Sequence, residues 1–348
     1  MKYLVLGYFG YRTNQLDGQT VKTRDLFRLL EENIGKEKVD YFDTQDFRYG
    51  ISNIFVMFKK IIMCRYLFYL PAHNNLKYIF PVIFVFSKIF RFKIFYFIIG
   101  GWLVEYLSTK PLHRWMLKRT TGIFSETKLM EKSLEEKYEF RNVSVFPNFR
   151  FTSFVPTAHH EMGKLKLVFL ARINKMKGLD VIFSLASCIQ NKGLQDRISI
   201  DFFGPVYDKD RMYFFEELRK YSFLSYKGEL QPSDINITIE KYDVMLLPTH
   251  YFTEGLPGSV LDAYMSGIPI IVSKWKHAEE FVVNGKTGFI IPFENGIQEL
   301  ENIIDLLYNN PDLLSKMKNN AYKESNKYSS RYAWDVIKDY ADRKSRIL

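Results

Sequence analysis

The chain reads as an α/β protein of two Rossmann-like domains, and three observations predict it. Short apolar runs with the character of buried strands alternate with amphipathic segments along the sequence, the βα order of a parallel sheet covered by helices on both faces. Its 348 residues are long for one hydrophobic core and suit two. Pro156 to Gly163 is polar and proline-containing, so it reads as a linker between a domain over 1–155 and a second over 164–330.

Composition narrows the class. Hydrophobic content of 47% with 25% charged residues is that of a folded globular protein. Cys64 and Cys188 lie far apart and match no metal spacing, so reduced, buried thiols are expected. Residues 1–7 read as a first strand, not a secretory signal, which makes the cytoplasm the default expectation. A net charge of +10 calls for an anionic partner or surface. No helix-turn-helix, RNP or zinc-finger pattern supports nucleic acid, so nucleotide phosphates and anionic lipid remain.

In the first domain, strand 3–7 breaks at Gly7 to Gly10, and a polar loop leads through Asp17-Gly18-Gln19-Thr20 to a helix over Val21 to Leu30. The loop lacks the G-x-G-x-x-G dinucleotide fingerprint, which disfavours a dehydrogenase. Strands follow at Val39 to Phe42, Tyr66 to Leu70, Lys93 to Ile99, Gly122 to Ser125 and Ser144 to Phe146, with helices over Ile51 to Met63, from Leu76, and up to Tyr138. Between Ile54 and Phe97 the helices are apolar and aromatic yet dotted with Lys59, Lys60, Arg65, Lys88, Arg91 and Lys93. The longest apolar run there, Tyr78 to Phe86, is far short of the ~20 residues of a bilayer span. Two readings fit the pattern: a surface resting on anionic lipid at the inner face of the cell membrane, or core helices with snorkelling lysines.

In the second domain, strand Lys166 to Ala171 ends in Arg172, with Lys177-Gly178 ahead of a helix through Ile182 to Ile189. An Arg fork and a Lys point charge at a strand's carboxyl end can share one diphosphate. Strand Ile198 to Phe203 ends at Gly204-Pro205, and a helix over Ser233 to Glu240 precedes strand Tyr242 to Leu247. The stretch that organises the chain comes next, a Gly/Pro-rich loop carrying Glu254, Gly255, Leu256 and Pro257 ahead of a helix from Gly258 to Ser266. A helix start at the carboxyl edge of a sheet presents free N–H groups and the positive end of the macrodipole to phosphate. Asp262 lies eight residues beyond Glu254, roughly 12 Å if the whole span were helical. That is comparable to the reach from a hexose across a diphosphate to a ribose, so each carboxylate could accept hydrogen bonds from one polyol. The tail from Gln298 to Leu348 is helical by periodicity.

The run Glu254-Gly-Leu-Pro-Gly-Ser-Val-Leu-Asp262, followed by Gly267 to Val272, resembles the E-x7-E region of retaining glycosyltransferases of the GT-B fold, the large family 4 group. The family's second acid is normally Glu, one methylene longer than Asp262. Arg172 and Lys177-Gly178 resemble its R-x4-K-G signature, whose side chains neutralise the donor diphosphate. Ser225 to Leu230 resembles the loop that receives the nucleobase, with backbone near Lys227 and Leu230 reading its edge. The resemblance implies that Gly18 lines the cleft, unless it simply opens its helix, and that Gly204 also borders the donor. Members often carry a histidine after the fourth strand; here Gly100 stands there, so His73, a backbone N–H of the Gly100-Gly101 turn, or a different sugar would account for the change. Asp208-Lys-Asp210 matches the metal-binding triplet of the other major glycosyltransferase fold, but acids at a helix start are favoured by the dipole in any case. The last helix of the resembling fold crosses back onto the first domain.

The implied activity is transfer of a sugar from a nucleotide diphosphate-sugar to a hydroxyl of a glycan or lipid-linked saccharide, with anomeric retention and neither metal nor cofactor. Arg172 and Lys177 would stabilise the leaving diphosphate, Glu254 orient the sugar and Asp262 hold the ribose. Two alternatives stay open, a sugar-nucleotide epimerase of the same fold and a non-catalytic sugar-nucleotide-binding subunit.

Overall fold

The computed structural model describes residues 2–15, 17–157 and 163–343. The chain divides into two units, Met1–Phe151 with Ser329–Leu348, and Thr152–Tyr328. Five residues of the expected linker, 158–162, lie outside the described residues; ahead of them the Thr157 N–H donates to Glu240 Oε2 at 2.8 Å.

The first unit runs β1 (Tyr3–Gly7), α1 (Gly18–Ile34), β2 (Val39–Asp43), α2 (Ser52–Met63), β3 (Tyr66–Leu70), α3 (His73–Tyr78), α4 (Phe80–Phe90), β4 (Lys93–Phe97), α5 (Leu103–Ser108), α6 (Pro111–Leu117), β5 (Gly122–Ser125), α7 (Lys128–Tyr138) and β6 (Val143–Val145). Its strands form one parallel sheet in the order β2-β1-β3-β4-β5-β6. The two-residue pleat sends Leu4, Leu6, Leu67 and Tyr69 into the core on one face, and Tyr3, Val5, Tyr66 and Phe68 into the core on the other. Both faces are therefore covered, which is why these strands read as unbroken apolar runs.

Helix α1 opens on a capping box: Asp17 Oδ1 accepts the Thr20 N–H and Thr20 Oγ1 accepts the Asp17 N–H, each at 2.9 Å. The single helix expected from Leu76 is two, because the chain turns at Ile79 and restarts with Pro81 in the first turn of α4. Periodicity assigns no helix between Ile99 and Gly122, where the chain forms α5 and α6. Cys64 is buried, its thiol pushed up to about 12 by desolvation. Contrary to expectation Cys188 is only half-buried; its Sγ donates to Glu301 Oε1 at 2.8 Å, and desolvation with that bond raises it to about 11.

The second unit runs β7 (Leu165–Leu170), α8 (Leu179–Asn191), β8 (Ile198–Phe203), α9 (Arg211–Leu218), β9 (Leu224–Tyr226), α10 (Ile235–Ile239), β10 (Val244–Leu247), α11 (Gly258–Met265), β11 (Ile270–Ser273), α12 (Ala278–Phe281), β12 (Gly288–Ile291), α13 (Ile297–Asn309) and α14 (Pro311–Glu324). Its parallel sheet has the order β12-β11-β10-β7-β8-β9. From β7 the chain builds outward to β9, then returns to lay β10 on the opposite side of β7. The strand order reverses between those two strands, the switch point beside which parallel α/β sheets bind their ligands.

The tail expected to be helical throughout is broken at Asn310-Pro311 and again before a terminal helix, Ser330–Arg343, which belongs to the first unit. Ala333, Ile337, Tyr340 and Ala341 recur at helical spacing and enter the core between that helix and the sheet. The Tyr340 hydroxyl donates to Thr121 O at 2.8 Å, and a Cβ on Gly122 would fall 2.8 Å from the tyrosine ring, so glycine permits the approach. Among the described residues no helix is long and apolar enough to cross a membrane.

Candidate functional site

The site forms at the switch point of the second unit. Beyond β7, Asn174 caps a single 3₁₀ turn, Lys175–Lys177, by accepting the Lys177 N–H on Oδ1 at 2.9 Å. Gly178 follows with φ +86°, and a Cβ there would lie 2.0 Å from Pro248 O. Only glycine lets this turn lie against the end of β10. The contact is sealed by the His250 N–H donating to Met176 O at 2.9 Å.

That approach brings Lys177 onto Glu254. Lys177 Nζ lies 2.7 Å from both carboxylate oxygens, in a pair 16% and 18% exposed, deep enough to be ordered and open enough to be reached. Thr249, fully buried, places Oγ1 at 3.2 Å from both Glu254 Oε2 and Met176 O, and accepts the Tyr251 N–H at 3.1 Å. Lys177 Nζ also stands 5.1 Å from the Tyr251 ring centroid. Helix α11 is held close by Ser259 Oγ, which donates to Leu170 O at 2.6 Å; its N-cap is Pro257, whose side chain makes no capping hydrogen bond. A cavity of about 440 Å³ shares Pro248 and His250 with this edge, and there His250 Nε2 lies 2.9 Å from Asp180 Oδ1.

Arg172, Lys177 and Glu254 thus come to one edge of one sheet. Arg172 is exposed at the end of β7 and makes no ion pair among the described residues. Gly255, Leu256 and Pro257 are buried, so what this loop can offer a ligand is backbone. Glu254 stands in that loop and not on the helix, so the helical estimate of its spacing to Asp262 does not apply; Asp262 is buried on α11. Gly204 has φ +130°, and a Cβ there would lie 2.0 Å from Ala171 O, so its glycine is required by the packing of β8 on β7. Lys227 is exposed with its N–H committed to Phe202 O at 2.9 Å and its Nζ 3.8 Å from Asp201, and Leu230 packs half-buried on the core. Asp210 Oδ2 accepts the Lys175 N–H at 3.0 Å, so one acid of the D-x-D triplet braces the cationic turn. Thr249 and Asn174 escape sequence reasoning; the one available signal is their position just beyond strand ends.

In the first unit Gly18 is exposed, and a Cβ there would meet nothing within 4 Å. His73, exposed beyond β3, packs on Trp102 and Tyr106 with centroids 4.9 and 5.0 Å apart. It therefore adjoins the turn of Gly100, at φ +72°, and the buried Gly101. Beneath these loops Lys22 is buried, its Nζ 2.6 Å from Glu126 Oε1 and 2.9 Å from Ile98 O. Desolvation lowers the Lys22 pKa, against the opposing pull of Glu126.

Residues 153–324 match the family of glycosyl transferases group 1. The capsular polysaccharide biosynthesis glycosyltransferase CapM of Staphylococcus aureus is 25% identical over 174 residues, 49% of this chain and 43% of the relative. An uncharacterized glycosyltransferase of Haemophilus influenzae is 30% identical over 96 residues, 28% of this chain and 27% of the relative. This chain thus aligns with less than half the length of each. Among solved structures, Anabaena HepE in complex with UDP superposes with a TM-score of 0.77 at 14% identity, over 99% of this chain and 100% of that one. The sucrose-phosphate synthase of Thermosynechococcus elongatus gives 0.76 at 12%, over 99% of each. The fold is GT-B, and the match to the glycosyl transferases group 1 model falls within the second unit.

Proposed function

We propose that this chain transfers a sugar from a nucleotide diphosphate-sugar to a hydroxyl of a saccharide or lipid-linked saccharide, with retention, without metal, in polysaccharide synthesis at the inner face of the cell membrane. The observation that carries the reading is the Lys177–Glu254 pair, with Arg172 on the same edge and an uncapped helix start beside it. Leaving-group departure puts growing negative charge on the diphosphate. Lys177, held in place before reaction, and the oriented amides stabilise that charge with little reorganisation, and the exposed Arg172 adds a second cation. The bond from the anomeric carbon to the diphosphate breaks, the bond to the acceptor oxygen forms on the same face, and the acceptor proton passes to a donor phosphate oxygen. Glu254, fixed by Lys177 and Thr249, orients the sugar hydroxyls, and Asp262 on α11 holds the ribose. A UDP-sugar leads the donors to test, since HepE has been captured with UDP-glucose.

Thermal shift against UDP-, GDP-, ADP- and CMP-sugars identifies the donor, because a ligand at 100 times its dissociation constant adds about 2.7 kcal/mol. Product NMR with a saccharide acceptor then reads the anomer, and EDTA should leave the rate unchanged. Epimerised donor without acceptor, or donor binding with neither transfer nor hydrolysis, refutes the transferase reading. An inverted anomer or a rate lost to EDTA refutes those parts of it.

A further inference from the structure

The first unit has a surface that its fold does not use. Helices α2, α4 and α6 lie side by side over one face of its sheet, joined by Phe58–Phe86 and Phe84–Trp115 ring contacts at 4.9 and 5.5 Å. Their inner residues, among them Met57, Ile61, Ile83 and Met116, form the core. Their outer faces are apolar too: Phe55 is 73% exposed, Ile89 64%, Leu112 59% and Trp115 49%. Single exposed apolar residues are ordinary, but three adjacent ridges of them form a patch that marks an interaction site.

Charge selects the partner. From Phe47 to Val104 the chain contains no Asp or Glu and eight Lys or Arg. Lys59, Lys88 and Arg91 are exposed on or beside the ridges. Lys88 Nζ sits 4.8 Å from the Phe84 ring centroid and the Arg119 guanidinium 4.4 Å from that of Trp115. Cations beside the buried Phe84 and the half-exposed Trp115, in a segment without acids, match an apolar interior under an anionic rim. A second copy of the chain would bring the same positive charge against itself, so charge disfavours a dimer through this face.

We propose that the outer faces of α2, α4 and α6 form one docking surface for an anionic phospholipid bilayer. Phe55, Ile89 and Trp115 enter the acyl boundary, while Lys59, Lys88, Arg91 and Arg119 meet the headgroups. The inference gives a location to the membrane placement proposed above and rests on it, but not on the donor chemistry of the second unit.

The test is flotation of the full chain with phosphatidylcholine vesicles with and without phosphatidylglycerol. Binding should require phosphatidylglycerol and weaken with salt. Lys59→Ala should weaken it about fivefold, and Phe55→Glu with Ile89→Glu about a hundredfold or more. A blue shift of tryptophan emission on vesicle addition should shrink in Trp115→Phe. The proposal fails if the chain ignores phosphatidylglycerol, or if the double variant, melting like the parent chain, still floats with the vesicles. It fails equally if sedimentation shows a dimer that Ile89→Glu dissolves. The nucleotide thermal shift, measured on the same samples, reports separately on the donor site.

Discussion

Each unit holds a lysine–carboxylate pair near the carboxyl ends of its parallel strands, and the two pairs do different work. Lys22 and Glu126 are 3% and 5% exposed and join α1 to the ends of β4 and β5. Lys177 and Glu254 keep 16% and 18% exposure beyond the carboxyl ends of β7 and β10. Removing charge from water is costly, so the buried pair is held by mutual dependence: either side chain alone would lose the partner that offsets its desolvation. The second pair, partly exposed, has water, and so a ligand, within reach. Burial, more than residue type, separates a structural bracket from a site.

The widest test of that contrast is Lys22→Met, which leaves Glu126 buried without its cation and should cost about 3–5 kcal/mol in denaturant unfolding. A loss below about 1 kcal/mol would erase the distinction. Lys177→Ala should show the reverse, transfer reduced about 10²-fold with unfolding changed by at most about 1 kcal/mol. Near-normal turnover would remove Lys177 from the mechanism. Two glycines carry the contrast into the backbone. Gly178→Ala sets a Cβ against Pro248 O at positive φ and should cost about 1–3 kcal/mol, whereas Gly18→Ala meets open space and should stay within about 0.5 kcal/mol by thermal melting. Thr249→Val is expected to lose about 1 kcal/mol and to raise the KM for donor more than it lowers kcat, as Glu254 loses one of its supports.

The strands were legible because burial on both faces leaves an apolar run, as Tyr3 to Leu6 and Val244 to Leu247 do. Arg172, Lys177 and Glu254 were legible through their order along the chain and their resemblance to the R-x4-K-G and E-x7-E signatures, since a charge beyond an apolar strand is by itself most often an ordinary surface residue. Their meeting depends on β10 returning to β7, which local pattern does not encode. Helices α5 and α6 are too short to establish a period. Thr249 at a strand end looks like ordinary β-propensity, and Lys22 and Glu126 are 104 positions apart, so only the completed sheet shows that they pair.

The terminal helix bears on how the polypeptide is made. Phe95, Phe124 and Tyr340 share one packed layer, yet the first two are translated long before the third. Until residues 330–343 leave the ribosome, the part of that sheet face beyond the cover of Leu26, Leu29 and Leu30 of α1 waits exposed while the entire second unit is synthesised. A nascent chain arrested at Tyr328 would display that aromatic layer to solvent, and it is at this stage that the protein would most need a chaperone.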